Sequence, residues 1–299
     1  MGWCMKKFDW SQVKRFYEAR SSYWERGGYD DPDALGNVVM TGEPLWVNEY
    51  FARSQQMAYQ ALFDLTPSPR PGAKALDIGC GAGRWARFLS EHGYQTVGID
   101  LQPALIEAAR GRYPNIDFLC TSVQEYSSEE PFDLVSSVEV IRHNPFEEQL
   151  VVIRNIRESL VDGGFVIMLE GIGADPRPNA FYRAMNDWIE VFEESGFRNI
   201  AVQRYYYNVV WQAVRQLASM RRRLPSILIP QGSSRGELSP EKTELTPEES
   251  AAIVEPERGY LSSFIRRLVL ELNAPVESFL VRRNAALSVR DCGFLFQAV

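Results

Sequence analysis

The sequence predicts an α/β protein built around a doubly wound, mostly parallel sheet. From Lys74 onward, short apolar runs alternate with stretches in which apolar residues recur at helical period, the pattern of βαβ crossovers. A glycine-rich turn follows the first apolar run, at positions 79–83. The length of 299 residues, with 45% apolar and 24% charged residues, suits a large folded domain with an insertion rather than a disordered chain.

Apolar periodicity defines the elements in order along the chain. Helices are predicted at 9–25 and 45–64, before prolines at 67, 69 and 71 interrupt the pattern. Beyond them, short apolar runs predict buried strands and the stretches between predict helices that pack on the sheet. The strands are predicted at 75–78, 95–99, 116–120, 132–138, 165–169, 198–207 and 293–299, and the helices at 83–92, 102–112, 145–160 and 179–195.

Composition and charge argue against several classes of protein. The net charge of −7 disfavours sequence-independent binding of nucleic acid. The sequence has no uncharged apolar run of about 18 residues, so no integral membrane segment is expected. The four cysteines, at positions 4, 80, 120 and 292, form no CxxC pair. We therefore expect no metal site and no disulfide scaffold, and we expect a cytoplasmic location.

The glycine-rich turn is flanked by carboxylates in a pattern that indicates its ligand. Asp77-x-Gly79-x-Gly81-x-Gly83 places an acidic residue at a strand end, followed by three alternate glycines. A pyrophosphate binds backbone N–H groups and gains nothing from a carboxylate beside them, whereas a ligand with an ammonium does. Asp100, at the end of the next strand, is placed to accept both ribose hydroxyls. The pair of carboxylates favours an adenosyl amino acid over a nicotinamide dinucleotide.

Two further interpretations of the turn stay open. Gly81-x-Gly83-x-x-Ala86 also fits the dinucleotide fingerprint, which by itself is a weak signal. Taken without the two carboxylates, the glycines could also form a tight strand-to-helix turn that binds nothing.

With these residues in view, the stretch from Lys74 to Tyr205 resembles the class I S-adenosylmethionine-dependent methyltransferases of small-molecule type, and 293–299 resembles their last strand. The resemblance implies a Rossmann-like, seven-stranded sheet whose last strand is antiparallel. It also implies a division of the chain. An N-terminal helical lid would span 1–72, the donor-binding core 73–207, a helical substrate cap 208–290 with a disordered acidic loop near 231–258, and the last core strand 291–299.

The resemblance carries donor-binding roles onto individual residues. The turn glycines would let the backbone approach the methionine portion of S-adenosylmethionine, and Asp77 would hold its ammonium. Members of the family often have an aspartate after the third strand, where this chain has Ser122 and then Val123. The implied cofactor-binding residues are Asp77, Gly79, Gly81, Gly83, Asp100, Leu101, Ser122, Val123 and, in the lid, Tyr17.

The candidate catalytic residues follow the fourth and fifth strands. His143 has a side chain whose pKa range suits a base at neutral pH, and its alternative role is to orient its loop. Glu170 stands at the end of the fifth strand, where it could act as a base, bind an acceptor amine or only bond loop amides. Glu139 is similarly placed. His92, at a predicted helix end before Gly93, is expected to be structural.

The preferred interpretation is an enzyme that transfers a methyl group from S-adenosylmethionine, leaving S-adenosylhomocysteine, to a natural-product or lipid-like small molecule at oxygen. Methylation at nitrogen or carbon is a second possibility on the same fold. A NAD-dependent oxidoreductase and a non-catalytic domain that binds S-adenosylmethionine also stay open. A nucleic-acid substrate is disfavoured because strand four ends in Glu-Val-Ile-Arg rather than an Asn- or Asp-Pro-Pro-Tyr motif.

Overall fold

The computed structural model describes residues 45–173, 180–206, 275–276, 278–284 and 291–299. The strands in these ranges are β1 (Lys74–Ile78), β2 (Gln95–Asp100), β3 (Asp117–Cys120), β4 (Phe132–Val138), β5 (Leu160–Gly171), β6 (Phe197–Tyr205) and β7 (Asp291–Ala298). The helices are α1 (Leu45–Phe63), α2 (Arg84–Glu91), α3 (Pro103–Arg112), α4 (Phe146–Ser159) and α5 (Met185–Glu194), with a 3₁₀ turn at Ile141–His143 and a short helix at 278–282. The predicted helix at 9–25, Tyr17 and the acidic loop lie outside the described residues.

The seven strands form one sheet in the order β3-β2-β1-β4-β5-β7-β6. Strands β1 to β5 pair in parallel, whereas β7 runs antiparallel to both β5 and β6. The predicted doubly wound sheet with an antiparallel last strand is thereby confirmed.

Helices cover both faces of this sheet because side chains of a strand point alternately to either side. Phe296 of β7 stacks on Phe192 of α5 with ring centroids 4.0 Å apart, and both belong to an apolar cluster that α4 completes. On the other face, α1 lies so close to β7 that a Cβ on Gly293 would stand 2.7 Å from Leu62 Cδ1. Burial of apolar area on both faces stabilises the sheet, at roughly 25 cal/mol per Å².

Two elements differ in extent from their predictions. β5 begins at Leu160 instead of 165, because Leu160 already pairs with Phe132 of β4. The helix predicted from 179 begins at Met185. Ahead of it, the N–H of Phe181 donates to the carbonyl of Arg142 (2.7 Å) and Arg183 forms a bridge with Ile172, so these backbone groups bond to neighbouring segments and not within a helix.

The order of the strands locates a crevice. β1 lies between β2 and β4, so the connections that follow β1 and β4 leave the sheet in opposite directions. At such a switch point, ligands of open α/β sheets bind beyond the carboxyl ends of the strands. The glycine turn, Asp100, the loop 139–144 and Glu170 all follow or end strands at this edge.

Two further properties concern the chain as a whole. Contacts divide it into a unit made of 1–207 with 277–299, which holds the sheet, and a unit made of 208–276. Within the described ranges, no helix has both the length and the apolar character needed to cross a bilayer.

Candidate active site

The turn between β1 and α2 can be made only by glycine at two of its positions. Gly79 has φ +65°, and a Cβ there would stand 2.3 Å from Val140 Cγ2. Gly83 has φ +89°, and a Cβ there would lie 2.9 Å from the rings of Phe118 and Tyr113. Left-handed backbone and close approach both exclude larger residues. The turn therefore presents bare backbone at the switch point.

Asp100 ties the end of β2 to this turn. Its Oδ2 accepts the N–H of Gly81 at 2.9 Å, and its Oδ1 accepts the N–H of Gln102 at 2.9 Å. Burial raises the pKa of Asp100, and these amide donors oppose the rise. Each carboxylate oxygen has a further lone pair, so the fixed carboxylate can still accept hydroxyl donors from a ligand.

Asp77 is a buried carboxylate at the carboxyl end of β1. Its side chain is almost fully buried, and among the described residues its Oδ2 has no hydrogen-bond partner of full geometry. Burial raises the pKa of Asp77 to about 7, and the nearby Asp100 adds to the rise, while the Ser136 hydroxyl and the Ala86 amide oppose it. An ammonium would supply both the missing donor and the missing positive charge.

The residues expected around an adenine ring lie beyond β2 and β3. Leu101 is 46% exposed and offers apolar surface next to Asp100. Ser122 is buried, and its Oγ accepts the N–H of Glu125 at 3.1 Å. The carbonyl of Val123 accepts the Nδ2 donor of Asn155 at 3.2 Å. The Ser122 hydroxyl thus stabilises its own turn and retains its proton as a donor for a ligand.

Glu139 follows β4 with a strained backbone. Its φ is +63°, a value that costs a non-glycine residue roughly 1–3 kcal/mol. Glu139 Oε1 accepts the phenol of Tyr205 at 2.9 Å and the Nε2 donor of Gln55 at 3.4 Å, and the carboxylate pairs with Arg142. Strained residues of this kind cluster at functional sites, where surrounding contacts hold them.

Glu170 holds the loop that contains His143. It is fully buried, and its Oε1 accepts the N–H groups of Val140 (3.0 Å), Ile141 (2.6 Å) and Arg142 (3.4 Å). Burial raises the pKa of Glu170, whereas the Arg142 guanidinium, 3.8 Å from Oε2, and the loop amides oppose the rise. These contacts favour the loop-bonding role and leave the base role without support.

The two histidines occupy different environments. His143 is half-buried and ends the 3₁₀ turn beside the crevice. Its backbone N–H donates to the carbonyl of Val140 at 3.0 Å. His92 caps the end of α2, where its Nδ1 lies 2.6 Å from the carbonyl of Phe88 and its ring stacks on the Phe88 ring. The contacts of His92 fit the structural role expected from the sequence.

Sequence reasoning did not identify three polar residues that contact this site: Gln55, Tyr59 and Ser136. Gln55 and Tyr59 lie on α1, whose apolar spacing indicated only packing. Gln55 also accepts a bond from Arg84 (3.2 Å), so it joins the start of α2 to Glu139. Among the described residues, no group of three or more His, Cys, Asp or Glu side chains is placed to hold a metal ion.

Comparison with known proteins agrees with this geometry. Residues 75–164, from β1 into β5, match the family model described as a methyltransferase domain. A ubiquinone biosynthesis O-methyltransferase from Xanthomonas campestris is 34% identical over 104 residues, which cover 33% of this chain and 43% of the relative. Nodulation protein S from Rhizobium tropici is 33% identical over 143 residues, which cover 46% of this chain and 59% of the relative. The chain thus spans about half the length of the curated relatives it matches.

Among solved structures, a magnesium protoporphyrin IX methyltransferase from Synechocystis, crystallised with S-adenosylhomocysteine, superposes with a TM-score of 0.51. It shares 16% sequence identity, and the match covers 66% of this chain and 93% of that one. At this identity the likeness concerns the fold. The matched family model identifies residues 75–164 as a methyltransferase domain, and the order of the strands agrees with the Rossmann-like sheet expected from the resemblance to class I S-adenosylmethionine-dependent methyltransferases.

Proposed function

We propose that the protein transfers the methyl group of S-adenosylmethionine to a small-molecule acceptor, at oxygen, and releases S-adenosylhomocysteine. The observation that carries the proposal is the pair of carboxylates, the buried Asp77 and the half-buried Asp100, on either side of a bare glycine turn at the switch point. A pyrophosphate would be repelled by Asp77, whereas the ammonium of a methionine portion pairs with it.

The donor would extend from β1 to β3 along the carboxyl edge of the sheet. Asp77 would bind the ammonium, and the backbone of Gly79, Gly81 and Gly83 would border the methionine portion. Asp100 would accept the ribose hydroxyls, since its oxygens each retain a lone pair. Leu101 would pack on the adenine, and Ser122 or the Val123 backbone would contact its polar edge. Tyr17, in the lid, remains part of this proposal.

The acceptor would enter beside the loop after β4. Methyl transfer to a hydroxyl is an in-line displacement: an oxygen–carbon bond forms as the carbon–sulfur bond breaks, and the sulfonium becomes a neutral thioether. The hydroxyl proton must pass to a base, and His143 is the candidate because it lies on that loop and its side chain can accept a proton near neutral pH. Glu170 would act indirectly, by holding the loop amides in place.

Acceptor class and chain organisation complete the proposal. The O-methyltransferase relatives favour oxygen as the reacting atom and a natural-product or lipid-like acceptor. We assign the donor site to a core of 73–207 and 291–299, a lid role to 1–72, and a substrate-cap role to 208–290. The separate unit that contacts define at 208–276 supports an insertion in this part of the chain. The cysteine usage favours the cytoplasm.

A thermal-shift comparison of S-adenosylhomocysteine, S-adenosylmethionine, NADH and NADPH tests the donor assignment. We expect only the adenosyl ligands to raise Tm, because a ligand at about 100 times its Kd adds about 2.7 kcal/mol to the stability of the folded state. Asp100→Ala is expected to weaken S-adenosylhomocysteine binding about tenfold or more by calorimetry, since it removes the ribose acceptors. Asp162→Ala, whose side chain is 94% exposed on β5, is the matched control and should bind normally. A shift with nicotinamide ligands alone, or an unchanged affinity in Asp100→Ala, would contradict the assignment.

His143→Ala tests the proposed base. Turnover with a hydroxyl acceptor is expected to fall about a hundredfold or more, because the acceptor proton no longer has a positioned base, while affinity for S-adenosylhomocysteine is retained. His92→Ala is the control, since that ring packs on Phe63 and Phe88 at the end of α2, away from the carboxyl ends of the strands. Equal turnover in His143→Ala and in the unaltered enzyme would show that His143 only supports its loop.

A further inference from the structure

Three polar side chains meet beneath the donor site. Asp77 of β1 and Ser136 of β4 are paired residues of adjacent parallel strands, so their side chains lie next to each other on the same face of the sheet. Tyr59 of α1 packs on that face. The exposed fractions are 1% for Asp77 and 0% for both Ser136 and Tyr59. The face of the sheet toward α1 therefore carries a closed polar cluster, made of Tyr59, Ser136 and Asp77, directly under the glycine turn.

Tyr59 is held firmly in this cluster. Its ring stacks on Trp85 of α2 with centroids 4.0 Å apart and an interplanar angle of 19°, and it meets the edge of Phe88 at 5.3 Å. The residue after Trp85, Ala86, directs its amide toward Asp77 closely enough to oppose the rise in that carboxyl's pKa. The contacts with Trp85 and Phe88 restrict the directions that the phenol can take.

The polar atoms of the cluster face one another. Tyr59 Oη, Ser136 Oγ and Asp77 Oδ2 are all buried, and within the described ranges none of them has a hydrogen-bond partner of full geometry. The Ser136 hydroxyl is near enough to both neighbours to favour the charged form of each, and the Asp77 charge in turn raises the pKa of the Tyr59 phenol. Buried polar groups are costly unless they pair, so a phenol and a hydroxyl beside a carboxylate indicate donors retained for it.

We propose that Tyr59 and Ser136 are positioning residues for the methyl donor: they orient the carboxylate of Asp77 and stabilise the charged form that pairs with the donor's ammonium. The inference rests on the proposed function and adds two residues to it. α1 would thus serve donor binding directly, through a hydroxyl on its buried face, and not only through apolar packing.

The polar and charged groups around Asp77 determine how donor affinity should change with pH. The groups that face it are the phenol of Tyr59 from α1, the amide of Ala86 from α2, the Ser136 hydroxyl from β4, the Cys80 thiol in the turn and the Asp100 carboxyl from β2. Asp100 and burial favour the protonated form of Asp77, and the Ser136 hydroxyl and the Ala86 amide favour the charged form. Donor affinity should rise with pH as Asp77 loses its proton, and removal of one donor should move that rise to higher pH.

The test is the pH dependence of S-adenosylhomocysteine binding, measured by calorimetry from acid to slightly alkaline pH in the full-length protein. In Tyr59→Phe we expect the midpoint of the rise to move up by about one pH unit, so that affinity is about tenfold weaker at pH 6 and close to that of the unaltered protein at pH 8. Ser136→Ala should move the midpoint in the same direction, and it provides a second variant should Tyr59→Phe fold poorly. The ligand's own amino group titrates at higher pH and affects all variants alike.

Tyr126→Phe is the matched control. Tyr126 packs against the apolar cluster that α4 and α5 complete, and its phenol lies near Ser128, Lys74 and Asp117 rather than near the polar cluster. Its binding profile should follow that of the unaltered protein. An unshifted midpoint in both Tyr59→Phe and Ser136→Ala, or an affinity loss equal at every pH, overturns the inference. If the unaltered protein fails to bind S-adenosylhomocysteine at any pH, the proposed function fails instead.

Discussion

Alanine in place of Gly79 is expected to abolish measurable donor binding and to lower the free energy of unfolding by about 3 kcal/mol. The added Cβ would lie 2.3 Å from Val140 Cγ2 and 3.1 Å from Val140 Cγ1, and the residue would keep a φ of +65°. Val140 cannot withdraw freely, because its N–H donates to the buried Glu170 at 3.0 Å. The turn must therefore move, and with it the backbone that borders the donor.

Gly111→Ala is the matched control for this prediction. Gly111 lies near the end of α3 and has no positive φ, and a Cβ added there would meet no heavy atom of the described residues within 4 Å. Alanine there should stabilise the helix slightly or leave stability unchanged. Urea unfolding and calorimetry with S-adenosylhomocysteine measure both variants. Normal binding by Gly79→Ala would mean that the turn adapts to a side chain, which contradicts the close approach to Val140.

Features encoded over short stretches of sequence were predicted well. The order Asp77, three alternate glycines and a helix follows from local backbone requirements, and the structure has Gly79 and Gly83 in left-handed conformations. The alternation of strands and helices is likewise local, so the predicted and observed bounds of most elements agree within two residues. The antiparallel direction of the last strand was implied only by the family resemblance, and its position between β5 and β6 was not predicted, because spacing alone does not specify strand order.

Features that depend on distant partners escaped prediction. Tyr59 has the helical spacing of a packing residue. Only the fold places it beside Ser136, which lies 77 positions later in the chain. Glu139 adopts φ +63° because Tyr205, Gln55 and Arg142 hold its carboxylate, and the first two of these come from other segments, β6 and α1. Secondary-structure propensity carries no information on such contacts, which form only after the sheet has assembled.

The same long-range dependence gives Glu170 its role. Its sequence position, at a strand end beside the crevice, suited a base, but the folded chain surrounds it with the amides of Val140, Ile141 and Arg142. We propose that a carboxylate that is fully buried and bonded in this way does not contact the acceptor. It can, however, fix the loop that sets the position of His143 and that packs, through Val140, on the glycine turn.

Glu170→Ala is therefore expected to cost about 3 kcal/mol or more of stability and to lower kcat about tenfold or more. The substitution leaves one buried and two part-buried N–H groups without an acceptor, at about 1–3 kcal/mol for each buried one, and removes a carboxylate 3.8 Å from the Arg142 guanidinium. Glu170→Gln retains an oxygen that can accept the amides, so it should recover most of the stability and part of the turnover. Urea unfolding and steady-state kinetics measure these changes.

Two comparisons separate a loop-holding role from direct proton transfer. Glu130→Ala, which alters an exposed carboxylate paired with Lys74, should leave stability and turnover unchanged. If Glu170 only holds the loop, Glu170→Gln keeps the pH–rate profile of the unaltered enzyme while kcat falls moderately, because the proposed base, His143, is still present. If Glu170 were the base, the glutamine variant would lose activity as completely as the alanine variant despite near-normal stability. The burial of Glu170 and its three amide bonds predict the first result.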